Sequence, residues 1–433
     1  DWSSDVCSSD LEMHFRHPLY GFFLVCGSCT LCFGGTTHTV DAGGGSDYMT
    51  IQEAVDAAVS GDAIQIEPGT YIDDDADGVI VSFSGKNLTI AAPSGGVTLD
   101  GDETARGFVV TNATAYLYQL DLLDCAALDG DGGGGLLFDD WSGSGENLSV
   151  ISCTFTSCSS PVEFDAGGAI RSFGNSSNYM NYEINNCQFI SCESAAYAGA
   201  FYASKANGLI MNTSFIDCSA GVGGACELRE GASTIYECVF QGNSTTSDGG
   251  AIRVYHDDAD ITIEDSSFDG NQARTGSAIY QSEGDVTLNN CEITNNISTT
   301  RHGCLHLRDN DVAAIIEVSG CRFSGNETAV GCAGISGDAV VNLTVTDSVI
   351  CDHAQDGDIS IAYTDGGGND LGNWCCPGDV DGDGDVDADD LGTLLTGYGD
   401  ASLDADDRED CSRDGDVDVE DLIGMLSQWG TCG

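Results

Sequence analysis

An acidic run near the carboxyl end of the chain has the spacing of a calcium-binding loop. It reads DVDGDGDVDADDL, from Asp379 to Leu391, and no basic residue within it offsets the charge. In a calcium loop the oxygen ligands come from positions 1, 3, 5, 7, 9 and 12, and glycine at position 6 permits a sharp turn. Gly384 stands at that sixth position. The predicted ligands of this first loop are Asp379, Asp381, Asp383, Asp385 (through its backbone carbonyl), Asp387 and Asp390.

The loop pattern recurs 31 residues later, where Gly415 corresponds to Gly384. Each loop runs into an apolar stretch, LGTLLTGYG or LIGMLSQWG, which we expect to form a helix. A disordered acidic tail would account for the charge but not for two matched apolar stretches. Ser412 is a weaker calcium ligand than a carboxylate, so we expect the second site to bind calcium more weakly. The predicted ligands of the second loop are Asp410, Ser412, Asp414, Asp416, Asp418 and Asp421.

Two loop–helix units this close together resemble a type I dockerin, over residues 375–433. The resemblance implies two bound Ca2+ ions and a cohesin-like protein as partner. Partner contacts in that family lie near loop positions 10 and 11, which are here Ala388 with Asp389 and Val419 with Glu420. These residues are not the hydroxyl pair that is common in the family, so the identity of the partner stays open.

A second set of residues with binding chemistry follows a recurring Gly-Gly-Ala-Ile-like motif in the middle of the chain. Aromatic and charged side chains aligned on one outward face could contact sugar rings. The alternative is an ordinary solvated face, and the sequence favours that alternative because isolated surface groups of this kind are common. The residues of this possible ligand face are Arg171, Tyr202, Glu227, Arg253, Tyr280 and His306.

The elements that must position these residues come from a sequence repeat. A central apolar residue recurs at spacings of 34, 26, 25, 28, 25 and 30, at Phe155, Phe189, Phe215, Phe240, Phe268, Ile293 and Phe323. Periods of this length indicate stacked structural units. Short alternating strands such as TIYECVF, broken by glycine turns, leave no room for a crossover helix. We therefore predict an all-β parallel β-helix, with one coil per repeat and coils about 4.8 Å apart.

Small residues accompany the apolar residue in fixed positions. Three residues after it come Cys158, Cys192 and Cys218, followed in later coils by Asn243, Asn271, Asn296 and Asn326. Stacked amides can form hydrogen bonds between coils. For the cysteines the favoured interpretation is buried free thiols, and the alternative is disulfides between coils, such as Cys153 with Cys187 or Cys304 with Cys332. A further disulfide is predicted to join the ends of the carboxyl-terminal module, between Cys375 or Cys376 and Cys432.

The beginning of the solenoid carries its own signature. In residues 48–71, Ile51, Ala54, Val55 and Ala58 share one face of a predicted short helix that would plug the open end of the coil. This stretch resembles the start of pectin-lyase-like right-handed β-helix proteins, and the repeats resemble those of polymorphic outer-membrane proteins. The resemblance covers residues 39–374, about twelve coils at this period. It implies the fold and leaves the function open.

The charge balance and the amino-terminal residues limit partners and location. The chain has 71 acidic and 13 basic residues and a net charge of -58. Because phosphate binding needs clusters of lysine and arginine, this balance excludes a nucleic-acid partner. Residues 1–12 match a translated sequencing adapter, and residues 13–38 have the pattern of a secretory signal peptide. We therefore expect a secreted or cell-surface protein with no transmembrane segment in its mature chain.

Two classes of function fit these features. The first is a non-catalytic β-helix that binds glycans or protein partners and is attached through the dockerin-like module. The alternative is a polysaccharide lyase or glycoside hydrolase acting on an anionic polysaccharide. A hydrolase needs two carboxylates at a fixed separation. With 71 acidic residues, chance pairs are common, so the sequence identifies no catalytic residue.

Overall fold

The chain forms a solenoid of short parallel strands, as the repeat predicts. The computed structural model describes residues 35–300, 302–308, 314–329, 333–337, 342–351, 359–372, 385–386, 388–398, 417, 419–427 and 430–431. Within residues 37–372, each strand pairs in parallel with the equivalent strand one coil away. Phe189, for example, is in register with Phe215 of the next coil. The predicted parallel β-helix is therefore confirmed.

Sheets 1 and 2 form two faces of the solenoid. Among the described residues sheet 1 has 13 strands: Thr37–Val40, Ala63–Ile66, Leu88–Ala91, Ala115–Tyr118, Asn147–Ile151, Met180–Asn185, Ala206–Met211, Gly231–Tyr236, Ala259–Glu264, Asp285–Asn289, Ile315–Ser319, Asn342–Thr346 and Thr364–Asp365. Sheet 2 has 12: Gly69–Tyr71, Val97–Asp100, Asp121–Leu123, Thr154–Thr156, Gln188–Ile190, Ser214–Ile216, Val239–Gln241, Ser267–Asp269, Glu292–Thr294, Arg322–Ser324, Val349–Cys351 and Asp370–Gly372.

Sheets 3 and 4 complete each coil. In the same described ranges, sheet 3 has 10 strands: Val79–Ser84, Arg106–Thr111, Leu136–Asp139, Ile170–Phe173, Phe201–Ser204, Cys226–Leu228, Ile252–Val254, Ile279–Gln281, Leu305–Leu307 and Ile335–Gly337. Sheet 4 has seven short strands between sheets 2 and 3: Ser159–Ser160, Glu193–Tyr197, Ser219–Val222, Ser244–Thr245, Gln272–Ala273, Ile297–Ser298 and Glu327–Thr328.

Stacked phenylalanine rings fill the interior behind sheet 2. The ring centroids of Phe189 and Phe215 are 4.9 Å apart, those of Phe215 and Phe240 4.8 Å, and those of Phe240 and Phe268 4.7 Å. These four side chains are fully buried. Because parallel pairing in register places equivalent residues above one another, a repeated aromatic residue becomes a continuous stack.

A ladder of buried asparagines fixes the bend between sheets 2 and 4. The side-chain Nδ2 of Asn243 donates to Oδ1 of Asn271 at 2.9 Å, and the same bond joins Asn271 to Asn296 and Asn296 to Asn326. Asn271 Nδ2 also donates to the backbone carbonyl of Phe240, at 2.9 Å. The predicted bonding of amides between coils is confirmed.

Cysteines occupy the same position in the preceding coils. Cys158, Cys192 and Cys218 are buried free thiols, and Cys192 Sγ donates to the carbonyl of Phe155 at 3.5 Å. Cys153 and Cys187 are also free, so the disulfide considered for this pair does not form and the favoured interpretation is confirmed there. The other cysteines named in predicted disulfides, Cys332, Cys375, Cys376 and Cys432, lie outside the described residues, whereas Cys304 Sγ donates to the Gly334 carbonyl at 3.4 Å.

A short helix, Ile51–Ala57, lies at the amino-terminal end of the solenoid. It begins with a capping box in which the Thr50 hydroxyl accepts from the Glu53 backbone N–H and the Glu53 carboxylate accepts from the Thr50 N–H. Ile51, Ala54 and Val55 are buried in the solenoid core. The predicted capping helix is therefore present.

Two further helices, Ala388–Gly397 and Val419–Ser427, form near the carboxyl end, where the two apolar stretches predict them. A short antiparallel pair joins Asp385–Val386 to Gly430–Thr431. The helices share a small core, which consists of Val386, Leu394, Val417 and Met425 with Leu391 and Leu422 packed against it. No helix among the described residues is long and apolar enough to cross a membrane.

Candidate ligand-binding face

The predicted ligand-face residues lie in one column on the outer side of sheet 3. Parallel pairing places Arg171 beside Tyr202, Tyr202 beside Glu227, Glu227 beside Arg253, and so on along the solenoid to Tyr280 and His306. Their alignment on one face is confirmed. We call these six residues the inner column.

For four of the six residues the expectation of an ordinary solvated face is wrong, whereas Arg171 and Arg253 are partly exposed. Only 6% of Tyr202, 0% of Glu227, 4% of Tyr280 and 1% of His306 is exposed. Coils lie about 4.8 Å apart, which is less than the length of an arginine or tyrosine side chain. Long side chains from neighbouring coils therefore cover most of the inner column.

The covering residues form a second column, two positions further along each strand. Because side chains alternate across a strand, residues i and i+2 share a face. This outer column includes Phe173, Arg229, Tyr255 and Arg308, and each of these is at least partly exposed. The sequence reasoning missed it, although the same alternation would have found it from the inner column.

Glu227 is the centre of an ion cluster between the two columns. Arg253 Nη1 donates to Glu227 Oε2 at 3.2 Å, and Arg229 Nε lies 3.8 Å from Glu227 Oε1. Burial raises the pKa of Glu227, while Arg253 and Arg229 lower it. The two guanidinium carbons lie 4.4 Å (Arg253) and 4.6 Å (Arg229) from the centroid of the Tyr255 ring. Aromatic faces attract cations in this arrangement.

Several polar atoms of this cluster have no hydrogen-bond partner among the described residues. They are Oε1 of Glu227 and Nε of Arg229 and Arg253, and all three atoms are buried. Such groups are rare in folded proteins and are costly to leave unpaired. The ion cluster around Glu227 is therefore an unusual feature of this face.

A second ion cluster lies toward the amino-terminal end of the face. Arg171 Nη1 donates to the Asp131 carbonyl at 2.9 Å and lies 3.3 Å from Asp139 Oδ2. Burial raises the pKa of Asp139 to about 6, against the lowering effect of Arg171. Arg171 and Lys205 both lie over the Phe173 ring, at 5.2 and 5.1 Å from its centroid. Asp139 was not among the residues that the sequence singled out.

Tyrosine and arginine pair twice along the face in the same way. Arg229 Nη1 donates to Tyr202 Oη at 3.3 Å, and Arg308 Nη1 donates to Tyr280 Oη at 3.4 Å. In each pair the arginine belongs to the outer column one coil further on. Tyr280 also stacks on His306, with ring centroids 5.4 Å apart. These contacts hold the guanidinium groups in fixed positions.

The face is rich in cations for this chain. Arg171, Lys205, Arg229, Arg253 and Arg308 are five of its 13 basic residues. Asp139 and Glu227 form ion pairs with Arg171 and Arg253, and the face still holds more cations than the composition of the chain, with its net charge of -58, would suggest. Next to Phe173, whose ring centroid lies 5.7 Å from that of Trp141, a large aromatic surface is open to solvent because 60% of Trp141 is exposed.

The predicted calcium loops can be placed only in part. Asp379, Asp381, Asp383, Asp387, Asp410, Ser412, Asp414, Asp416 and Asp418 lie outside the described residues. Asp385 is in the short antiparallel pair and Asp421 is in the second carboxyl-terminal helix. Asp390, the predicted twelfth position, is fully buried in the first turn of its helix.

Comparison with known proteins places the fold. The family model described as "Right handed beta helix region" matches residues 141–350. The solenoid is a right-handed β-helix. This β-helix is similar to the A-module of mannuronan C-5 epimerase AlgE6 of Azotobacter vinelandii, with 14% identity and a TM-score of 0.37, over 75% of this chain and 94% of that one. At that identity and TM-score the similarity carries no functional argument. No curated protein matches the sequence.

Proposed function

We propose that the β-helix binds glycans along the outer side of sheet 3. The observation that carries this proposal is the grouping of five of the 13 basic residues with aromatic side chains on one face of a chain of net charge -58. Guanidinium groups suit carboxylates and other anions, and exposed aromatic rings such as Trp141 present flat apolar surfaces. Both features suit a polysaccharide that carries acidic groups.

A binding screen with surface variants tests this function. Affinity electrophoresis of the intact chain would compare polyuronates, sulfated polysaccharides and neutral polysaccharides. Trp141→Ala and Arg308→Gln change exposed groups of the face. We expect each to weaken retention by about fivefold, because an exposed contact between a cation or an aromatic ring and its partner contributes about 1 kcal/mol of binding free energy. Arg322→Gln removes the same charge from sheet 2 and serves as the matched control. If all three variants were retained equally, the outer side of sheet 3 would not be the glycan-binding face.

We further propose that the carboxyl-terminal residues form a calcium-dependent, dockerin-like module that attaches the β-helix to a cohesin-like partner on a secreted or cell-surface assembly. The two helices with a shared core and the buried Asp390 support it. Calcium added to metal-free protein should release heat in two steps of different affinity, and chelation should reduce the helical circular dichroism signal. A chain that shows neither response would have no such module.

A polysaccharide lyase acting on the same acidic polymer is the second candidate. Asp139, whose pKa burial raises to about 6, lies beside Arg171 and could accept a proton near neutral pH. A hydrolase that used Asp139 with Glu227 is disfavoured, because three coils, or about 14 Å, separate them along the axis whereas such carboxylates are about 5 to 9.5 Å apart. Formation of an unsaturated product, followed by ultraviolet absorbance, separates a lyase from a binding protein.

A further inference from the structure

A pocket opens where the sheet 3 face meets the loop that precedes strand Ile170–Phe173. Its volume is about 220 Å³. Arg171, Tyr202 and Arg229 of the face line it, together with Phe164 and Asp165 of the loop and Tyr197 at the end of the sheet 4 strand Glu193–Tyr197. The pocket therefore joins the two ion clusters of the face.

Both arginines at the pocket keep hydrogen-bond donors available. Every hydrogen bond of Arg171 to a described residue uses Nη1, which donates to Asp131 O and to the Asp139 carboxylate. Arg229 donates to Tyr202 through Nη1. Their Nη2 groups have no partner in the part of the chain that the structure describes. Two held guanidinium groups with unused donors form a site for an anion with planar, two-oxygen geometry.

The remaining walls are apolar or accept hydrogen bonds. Tyr202 packs with Ala166, Ala198 and Tyr197 in a small apolar cluster at the base. Phe164 at the rim is 79% exposed and has a φ of 76°, a left-handed conformation that is unfavourable for a bulky residue. An aromatic ring held in the solvent beside a pocket is well placed to cover the face of a sugar ring.

The size and charge of the pocket restrict the ligand. Pockets for drug-sized ligands have volumes of about 300 to 1,000 Å³, so a smaller pocket of about 220 Å³ suits a single sugar residue. Asp165 accepts from the Ser160 hydroxyl at 3.1 Å, and burial raises the pKa of its carboxyl group. The carboxylates of Asp131 and Asp165 would repel a group with a high charge density but can accept hydrogen bonds from sugar hydroxyls.

We propose that this pocket binds one uronic acid residue of the polymer, with its carboxylate held by Arg171 and Arg229 and its ring covered by Phe164. This inference rests on the proposed glycan-binding function and names the ligand of the face as a polyuronate. A carboxylate is planar and presents two charged oxygens to the guanidinium groups, whereas a neutral sugar offers them only hydroxyl oxygens. The stronger, charge-assisted hydrogen bonds then favour the carboxylate sugar.

Calorimetric titration with three ligands tests the inference. They are oligogalacturonate, the same oligomer reduced at its carboxyl groups, and a sulfated oligosaccharide whose sugars carry no carboxyl group. We expect the reduced and sulfated ligands to bind the native chain at least tenfold more weakly than the uronate. Arg171→Gln and Arg229→Gln should each weaken uronate binding at least tenfold. Phe164→Ala changes a side chain that is 79% exposed, and we expect about a fivefold loss of uronate binding. Arg322→Gln, on sheet 2, should bind the uronate as the native chain does.

The outcomes separate this inference from the proposed function. If Trp141→Ala and Arg308→Gln weaken uronate binding while Phe164→Ala and Arg171→Gln do not, the face binds glycans and the pocket assignment is wrong. Equal binding of the sulfated and uronate oligomers would overturn the selectivity for carboxylate. If no acidic polysaccharide binds at all, the proposed function fails and this inference fails with it.

Discussion

Replacing Asp139 with asparagine tests how the buried acids control the binding face. Asp139 lies 3.3 Å from Arg171 Nη1 and is 4% exposed. Burial raises its pKa to about 6, with Asp131 adding to the rise and Arg171 and Arg106 opposing it. At pH 7.5 the carboxylate is therefore mostly charged and competes for Arg171, whereas at pH 5 it is mostly neutral. Uronates stay ionised at both pH values, so binding by the native chain should strengthen as the pH falls.

The expected size of the effect follows from Coulomb's law. A ligand carboxylate on the far side of the guanidinium would lie about 7 Å from Asp139, where two charges repel by about 0.6 kcal/mol in water and about 2.4 kcal/mol at an effective dielectric constant of 20. These values correspond to about 3-fold and about 50-fold in affinity. Asparagine keeps an oxygen acceptor for Arg171 but carries no charge. Asp139→Asn should therefore bind polyuronate at pH 7.5 more tightly than the native chain, by a factor within this range.

Calorimetric titration at pH 5 and pH 7.5, at constant ionic strength, measures both chains. Asp165 and Glu227 also have pKa values raised by burial, so a part of the pH dependence should remain in the variant. Most of it should be lost. A variant that retained the full pH dependence, or bound more weakly than the native chain at pH 7.5, would refute the electrostatic reasoning. The variant should also be more stable above pH 6, because stability due to the neutral form of Asp139 is present below about pH 3.8 and is lost as the pH rises through about 6.

Three further predictions concern the packing that supports the face. Phe215→Ala removes a ring from the buried stack and should lower the free energy of unfolding by about 3 to 5 kcal/mol, measured by urea denaturation. Asn271→Ala leaves the Phe240 carbonyl and donors of Asn243 unpaired, and should cost about 3 kcal/mol or more; a change in the urea midpoint smaller than that for an exposed asparagine would contradict it. Arg253→Gln removes the hydrogen-bonded partner of the buried Glu227 and leaves Arg229, at 3.8 Å, as its ion-pair partner. The cost should therefore lie below the roughly 3 to 5 kcal/mol of a buried charge with no partner, and the second change Glu227→Gln should restore most of the thermal stability.

The solenoid could be predicted because its signals repeat. Phe189, Phe215 and the asparagines recur at one position per coil, and a parallel coil turns such recurrence directly into a stack or a ladder. The capping helix was predicted from a local signal, the shared apolar face of Ile51, Ala54 and Val55. These features depend only on the spacing of residues along the chain, and this spacing can be read from the sequence.

The structure of the binding face depends on distances between side chains of neighbouring coils, which cannot be read from the sequence. The alignment of Arg171 with Tyr202 was predicted, but the burial of Tyr202 was not. Burial depends on how far side chains reach across neighbouring coils. Arg229 and Tyr255 follow from strand alternation once a face has been chosen. Asp139 belongs to a coil without the full repeat motif, and the pocket depends on a loop before Ile170 whose conformation no periodic signal specifies.

The buried acids on a face that binds anions have a second role, which Asp139→Ala exposes. A free arginine loses side-chain entropy when it binds a ligand. Arg171 has already lost much of this freedom, because Asp139 and the Asp131 carbonyl fix its Nη1. Alanine removes both the charge and the acceptor, whereas asparagine removes only the charge. Uronate binding at pH 7.5 should therefore be tighter in Asp139→Asn than in Asp139→Ala, and equal affinities in calorimetric titration would show that positioning of Arg171 contributes nothing.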